Sequence, residues 1–244
     1  KYYLHNSQHK IKSISRKKNQ GSRDKVIDYL DRLELNRGDT LIVHSSLNHL
    51  ANIGMNAISV LNYLRERIGE EGTLVLPAFP IYNEKNCREK DIYVYNPQKT
   101  ASATGLMTNI FLRMPGVVRS RFPWNTLVAQ GPLAVSMMEN NMKTDLAHGK
   151  NSAWEYCMNH HAKILFLGVR SSHTTTMVHV AEDILDEAWP IKNWYESKTF
   201  YIQEGKKEKK MTIRVRKNDW GRYNASWYRS FCLTKDRILV ENKI

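Results

Sequence analysis

KILFLGVRSSHTTTMVHVAEDILDEAW, from Lys163 to Trp189, decides how the rest of the chain is read. Lys163 to Val169 is a short apolar run broken only by Gly168, the pattern of a strand buried on both faces. Ser171 to Thr176 supplies hydroxyls suited to capping a following helix. From Thr175 the apolar residues Val178, Ala181, Leu185 and Ala188 recur at helical spacing until Pro190 stops the pattern. His179 precedes Glu182 by three residues and Asp183 by four, so the imidazole shares a helix surface with at least one carboxylate. A base with an orienting group is the chemistry this spacing offers.

The same alternation of strand and helix runs through the chain. Val26, Ile27, Leu30 and Leu33 form a helical stripe, Asn36-Arg37-Gly38-Asp39 a turn, and Thr40 to Ser45 a strand. Ile58, Leu61, Leu64 and Ile68 mark the next helix, closed by Gly69 and Gly72, and Thr73 to Phe79 is a second apolar strand. Together these predict a βαβ unit with parallel strands. Pro80 to Ser102 lacks periodicity and reads as a long loop with a role in a site. A helix is expected over Gly105 to Met114, a strand over Leu127 to Gly131, a helix opening at Pro132, and another over residues 152 to 161. Thr199 to Gln203 and Met211 to Arg216 alternate as a hairpin across Glu204-Gly205-Lys206-Lys207. The element order predicts a layered α/β domain over residues 23–244, with a mainly parallel central sheet, flanking helices and an antiparallel C-terminal extension. Residues 1–22, with six basic side chains and no acid, read as a basic arm.

Composition narrows the setting. No apolar run reaches the roughly eighteen residues of a membrane span, and the basic N-terminus does not resemble a secretion signal. Cys87, Cys157 and Cys232 are few and odd in number, which fits buried small hydrophobes in a reducing cytoplasm. The 37 Lys and Arg outnumber the 24 Asp and Glu, giving a net charge of +13. A field of that sign draws anions, whether nucleic acid, an acidic carrier protein, a phosphorylated small molecule or an acidic membrane surface.

Ligands of open α/β sheets bind beyond the carboxyl ends of the strands. That rule groups His44-Ser45-Ser46, the loop starting at Pro77-Ala78-Phe79-Pro80, and Ser171 to Thr176. His44, Ser45 and Ser46 suit either contact with a phosphate or thioester oxygen or the capping of a helix. Thr100, Ser102, Thr104 and Gly105 precede a helix in a similar way. His160, His161, His173, His179 and Glu182 are of metal-ligating type, yet the chain holds no HExxH or CxxC pattern. Nucleophile-elbow, phosphate-loop and dinucleotide signatures are also missing. Aromatic residues around Trp189 to Tyr201, with the basic 206–217 stretch, suit either nucleic-acid stacking or a solvated hairpin face.

Seven collinear segments carry a resemblance: RGDTLIVHSSL (37–47), GEEGTLVLPAF (69–79), NPQKTASATGL (96–106), MPGVVRS (114–120), FPWNTLVAQGP (122–132), LFLGV (165–169) and TTTMVHVAE (174–182). From Arg23 to about Leu239 the chain resembles the aminoglycoside 3-N-acetyltransferase family, whose fold is distinct from that of the GNAT acetyltransferases. The resemblance implies acetyl-CoA or a longer acyl-CoA as co-substrate, held near His44, Ser45, Ser46, Thr100, Ser102, Thr104 and Gly105, and no metal. It implies His179 as the base that deprotonates the attacking amine, assisted by Glu182 in preference to Asp183, with Phe79, Trp124, Asn125 and Thr176 near the acceptor. An amine at neutral pH is mostly protonated, so an imidazole titrating near neutrality suits the task. Donors for the oxyanion around Ser45 and Ser46 complete that expectation.

The chain departs from antibiotic-modifying members at Phe122-Pro123-Trp124-Asn125-Thr126, where those show a His-Pro-x-His-Ser type segment, and at Thr100-Ala101-Ser102, where they show Thr-Pro-Ser. With a charge of +13, these departures favour an anionic acceptor, a nucleotide-linked amino sugar, over a polycationic aminoglycoside. An acyl carrier protein is an alternative donor and a homodimer is compatible with the pattern. A chain without catalytic activity that binds nucleic acid is the reading from another class.

Overall fold

The computed structural model describes residues 23–46, 56–169 and 176–217. The expected basic arm, most of the hydroxyl-rich loop before His179, His173, Cys232 and the chain after residue 217 lie outside the described residues. Helix α1 (Arg23–Asp31) leads into β1 (Thr40–Ser45), and α2 (Ala57–Ile68) leads into β2 (Thr73–Pro77). Asn56 caps α2 by accepting the Ser59 N–H at 2.9 Å, and Gly69 ends it at φ +71, as the glycine in the sequence predicts.

Next come β3 (Cys87–Glu89), β4 (Ile92–Tyr95), α3 (Leu106–Phe111), β5 (Val118–Arg119), β6 (Leu127–Gln130), α4 (Ala134–Glu139) and α5 (Ala153–Asn159). β7 (Lys163–Leu167), α6 (Val178–Leu185), β8 (Tyr195–Glu204) and β9 (Lys207–Arg216) complete the described chain. Among the described residues no helix is long and apolar enough to cross a membrane.

Five strands form one sheet in the order β5-β6-β2-β1-β7. β1 pairs parallel with β2 and β7, as expected, whereas β6 runs antiparallel to β2 and β5 antiparallel to β6. The fold class is therefore α/β, with parallel pairing confined to one half of the sheet. This mixture has a consequence. Pro77 pairs with Leu127 and Ser45 with Leu167, so the 120–126 loop preceding β6 emerges at the same sheet edge as the ends of β1, β2 and β7.

Alternation sorts the side chains onto two cores. Leu41, Val43, Leu74, Leu76 and Leu165 face α2 and α3. Ile42, Val75, Leu127 and Ala129 face α4, α5 and Val180 of α6. Each fully buried leucine on these faces contributes about 2 kcal/mol. His44 shares the second face with Ile42, where its ring stacks on Phe166 (5.3 Å) and Trp154 (6.4 Å).

The stretch Pro80 to Ser102 is not a plain loop. It contains β3 and β4, and Tyr93, Val94 and Tyr95 of β4 pair parallel with Phe200, Tyr201 and Ile202 of β8 in a second sheet ordered β3-β4-β8-β9. A four-residue strand whose partner lies a hundred residues downstream leaves almost no local signal. The hairpin β8–β9 is present and longer than the alternation indicated. Of the cysteines, Cys157 is buried and its thiol pushed up to about 12 by desolvation, but Cys87 is exposed on β3, contrary to the expectation of burial.

Two predictions follow from this frame. Gly131 stands at φ +135, and a Cβ there would meet the Gly72 carbonyl oxygen inside van der Waals contact and the Thr73 Cα at 2.7 Å. Gly131→Ala will lower unfolding free energy by about 3 kcal/mol, measured by urea denaturation. His44, for its part, has its pKa lowered from 6.5 to about 4 by burial. Below pH 6.5 the unfolded chain takes up a proton that the folded chain refuses, so the His44 contribution to stability declines as pH falls toward 4. Its full extent is about 3 kcal/mol. His44→Phe, which keeps a ring against Trp154 and Phe166, will be less acid-sensitive than the parent when denaturation midpoints at pH 7 and pH 4.5 are compared.

Candidate active site

Helix α6 buries a face that its apolar spacing did not indicate. Ala181 and Leu185 are exposed, while Val180, Glu182 and Asp183 are buried, the two acids at 6% and 7% exposure. Removing two adjacent carboxylates from water costs several kcal/mol apiece unless donors replace the lost hydration. Each carboxylate has an imidazole. His179 Nδ1 lies 3.0 Å from Glu182 Oε2, and His148 Nδ1 lies 3.0 Å from Asp183 Oδ2. Asp183 also accepts the His148 main-chain N–H at 3.0 Å and the Tyr195 hydroxyl at 2.8 Å.

Burial alone would raise the Asp183 pKa; the bonds from His148 and Tyr195 outweigh it and hold the carboxyl below its usual range. Burial depresses His148 by more than Asp183 raises it, so this pair is a neutral imidazole on a charged carboxylate. Tyr195 is pushed well up, by burial first and by Asp183 second, and remains a donor.

Arg216 of β9 places Nη1 at 2.9 Å from His179 Nδ1, 3.3 Å from Nε2 and 3.4 Å from Glu182 Oε2. An atom so close to both ring nitrogens cannot lie on the in-plane lone-pair axis of either; it rests against the ring. Glu182 accepts only and Arg216 donates only. The consistent arrangement is Nδ1–H donated to Glu182, with the Nε2 lone pair left for another partner. Arg214, on the same strand, is bound by Asp145 and Asp186, whose hydrogen bonds raise its pKa.

These groups line a cleft of about 210 Å³ together with Trp124, Asn125 and Lys217. Trp124 stacks on Tyr82 at 6.4 Å, and the Trp154 indole N–H donates to the Asn125 carbonyl at 2.8 Å while Asn125 adopts φ +45. The 122–126 loop is thus fixed by the chain that follows β2 and by α5. Arg119, buried behind it, donates to Ala78 O at 2.6 Å and to Thr100 O, bracing the chain that leaves β2.

The structure brings His179, Glu182, Trp124 and Asn125 into one cleft. Thr176 sits one turn before His179, its carbonyl accepting the His179 N–H at 3.0 Å. Phe79 packs on the second core, as does Met177. His44 does not line the cleft; its ring is held in the stack with Trp154. Ser45 ends β1 and Ser46 follows it, the Ser46 N–H donating to Leu167 O at 2.9 Å.

The hydroxyls of Thr100, Ser102 and Thr104, expected to meet a cofactor, are engaged within the protein. Thr100 Oγ1 accepts from Asn96 N at 2.9 Å, Ser102 Oγ is 2.7 Å from Thr104 Oγ1, and Thr104 donates to Pro77 O at 2.5 Å. Gly105 stands at φ +103, and among the described residues no atom lies within 4 Å of the place a Cβ would take.

Sequence reasoning missed His148, Tyr195, Arg214, Arg216 and Lys217. His148 lies in a turn, Ala147-His148-Gly149-Lys150-Asn151-Ser152, with no periodicity, and meets Asp183 across 35 positions. The legible signal was Asp183 itself, an acid on a helix with no assigned partner. Among the described residues no three His, Cys, Asp or Glu side chains cluster as a metal centre requires.

Comparison with known proteins places this geometry in a family. Residues 42–238 match the family model described as aminoglycoside 3-N-acetyltransferase. An aminoglycoside N(3)-acetyltransferase III of Acinetobacter baumannii is 29% identical over 187 residues, covering 71% of this chain and 63% of the relative. An aminoglycoside N(3)-acetyltransferase VIII of Streptomyces fradiae is 26% identical over 174 residues, covering 66% of this chain and 60% of the relative. The chain thus spans less than two thirds of the length of these curated relatives. Among solved structures, "AAC-IIIb binary with CoASH" superposes with a TM-score of 0.68 at 18% identity, over 87% of this chain and 84% of that one. The YokD protein of Bacillus subtilis superposes at 0.66 with 20% identity, over 86% and 88%. By the extent of the family match, the chain belongs to the aminoglycoside 3-N-acetyltransferase family.

Proposed function

We propose that the protein transfers an acetyl group from acetyl-CoA to a primary amine of an aminoglycoside. The observation that carries this reading is the His179–Glu182 pair: Nδ1–H is committed to the carboxylate, so Nε2 is left as a base at the cleft. Bound acetyl-CoA would supply an electrophilic acyl carbon and a thiolate leaving group. His179 would take a proton from the attacking amine, and Glu182 would stabilise the imidazolium so formed. The open space at Gly105 suits close approach of a ligand to the main chain, whereas the hydroxyls of Thr100, Ser102 and Thr104 already have partners. The loop would then contribute shape and backbone N–H groups to holding the donor. Relatives named as aminoglycoside acetyltransferases support the acceptor class.

The distribution of charge supports the same choice. Of the 37 Lys and Arg, 25 fall within the described residues, as do 21 of the 24 Asp and Glu, so this part of the chain accounts for only +4 of the total +13. The cationic surplus that argued for an anionic acceptor therefore lies mostly outside the residues that frame the cleft. Within the cleft, Glu182 and Asp183 are buried acids and Arg214 is neutralised by Asp145 and Asp186. A nucleotide-linked amino sugar is the second reading, favoured by Arg216 and Lys217 at the cleft wall.

Thiol release from acetyl-CoA separates the two. Kanamycin or gentamicin is expected to accelerate it, with a dTDP- or UDP-linked amino sugar the weaker acceptor; the reverse order would establish the second reading. His179→Ala is expected to lower kcat by roughly 100- to 10,000-fold. An unchanged rate in that variant would remove His179 from the mechanism.

A further inference from the structure

The proposed reaction leaves one imidazole of the cleft without a task. His148 is 4% exposed, its ring centroid lies 5.3 Å from that of His179, and both rings line the same cleft. Asp183 accepts only, so the hydrogen of His148 sits on Nδ1 and Nε2 carries a lone pair. Among the described residues no donor reaches that nitrogen. A buried acceptor left unbonded has lost its hydration without replacement, a cost that a ligand N–H or O–H would recover. The fold maintains the arrangement with three bonds to Asp183, two from His148 and one from Tyr195, and these tie α6, the 144–152 turn and β8 together.

Each of the two rings is anchored through Nδ1 to one of two successive residues of α6, so each Nε2 lies on the side of its ring remote from its carboxylate. A separation of 5.3 Å between ring centroids lets both Nε2 atoms approach a single nitrogen at ordinary hydrogen-bond distance, about 3 Å. A neutral primary amine has two N–H bonds and one lone pair. We propose that His148 Nε2 accepts one N–H of the acceptor amine while His179 Nε2 accepts the other, so that the amine lone pair is aimed at the thioester carbon.

The inference rests on the acyl-transfer reading. The amine arrives as an ammonium and loses one proton to solvent. Its lone pair forms the C–N bond as the second proton passes to His179 Nε2, the C–S bond breaks, and that proton leaves with the CoA thiol. His148 takes no proton; it orients. Its Nε2 is shielded from solvent, so the bond to the amine forms away from competing water.

Two variants divide the imidazole's roles. His148→Asn retains a side-chain N–H near Nδ1 for Asp183 but places nothing at Nε2; His148→Gln places a carbonyl acceptor near Nε2. Steady-state thiol release with kanamycin, thermal melting and acetyl-CoA KM are measured for both, beside wild type and His179→Ala. The expected result is a kcat about 100-fold lower in His148→Asn, with melting temperature and acetyl-CoA KM retained, and recovery of about tenfold in His148→Gln. A kcat/KM for the amine within about threefold of wild type in His148→Asn would overturn the inference. So would equal losses in both variants accompanied by a lowered melting temperature, which would make His148 purely structural. Should His148→Asn fail to fold, His148→Gln decides: a loss of 100-fold or more, on the order seen for a misplaced reactant, in a normally melting protein overturns it. A wild type that releases no thiol with any amine, indistinguishable from His179→Ala, would defeat the acyl-transfer reading and this inference with it. An active wild type with unaffected His148 variants would defeat this inference alone.

Discussion

Two carboxylates side by side on one helix, both out of water, constrain most of what surrounds them. Glu182 and Asp183 are adjacent in the chain and so point in different directions from α6, and each needs its own donors at low solvent exposure. Glu182 is met by His179 from its own helix and by Arg216 from β9. Asp183 is met by His148 from a turn and Tyr195 from β8. Satisfying two charges thus fastens α6 to three other parts of the molecule. The groups that satisfy them are the groups that line the cleft.

The second sheet is what makes that fastening possible. Its strand β4 comes from the middle of the sequence and its strands β8 and β9 from beyond α6, and Tyr195, Arg214, Val215 and Arg216 of the last two form one wall of the cleft. Tyr82 stacked on Trp124, Trp154 bonded to the Asn125 carbonyl, and Arg119 bridging Ala78 and Thr100 hold the intervening loops to the five-stranded sheet. These contacts explain how loops rather than regular elements keep a fixed geometry: their carbonyls are bonded by buried donors, and an unpaired carbonyl there would cost as much as a lost hydrogen bond.

Charge illustrates the difference between a total and a field. The formal +13 belongs to the whole sequence, but the potential at the cleft depends on which charges are near it and how they are paired. Arg214 carries a full charge and contributes little outward, because Asp145 and Asp186 enclose it. Buried Glu182 and Asp183 weigh more at the cleft than several solvated lysines on the β8–β9 turn, whose charges water and salt screen.

The sequence by itself determined the alternating strands and helices of the main sheet, the end of α2 at Gly69, the β8–β9 hairpin and the pairing of His179 with a carboxylate one turn on. Each of these rests on neighbours a few residues apart, where period and spacing express the physics directly. Tertiary structure alone decided the antiparallel β6 that carries Trp124 and Asn125 to the strand ends, the β4–β8 pairing, and the choice of buried face on α6. It also decided that Asp183 belongs to His148 and that Arg216 rests on the His179 ring. Those outcomes depend on residues 35 or more positions apart, and on desolvation that arises only when separate elements close over the same carboxylates. A helix that buries acids presents misleading periodicity, because hydrophobicity measures the preference of a side chain for leaving water and not the partners waiting for it inside.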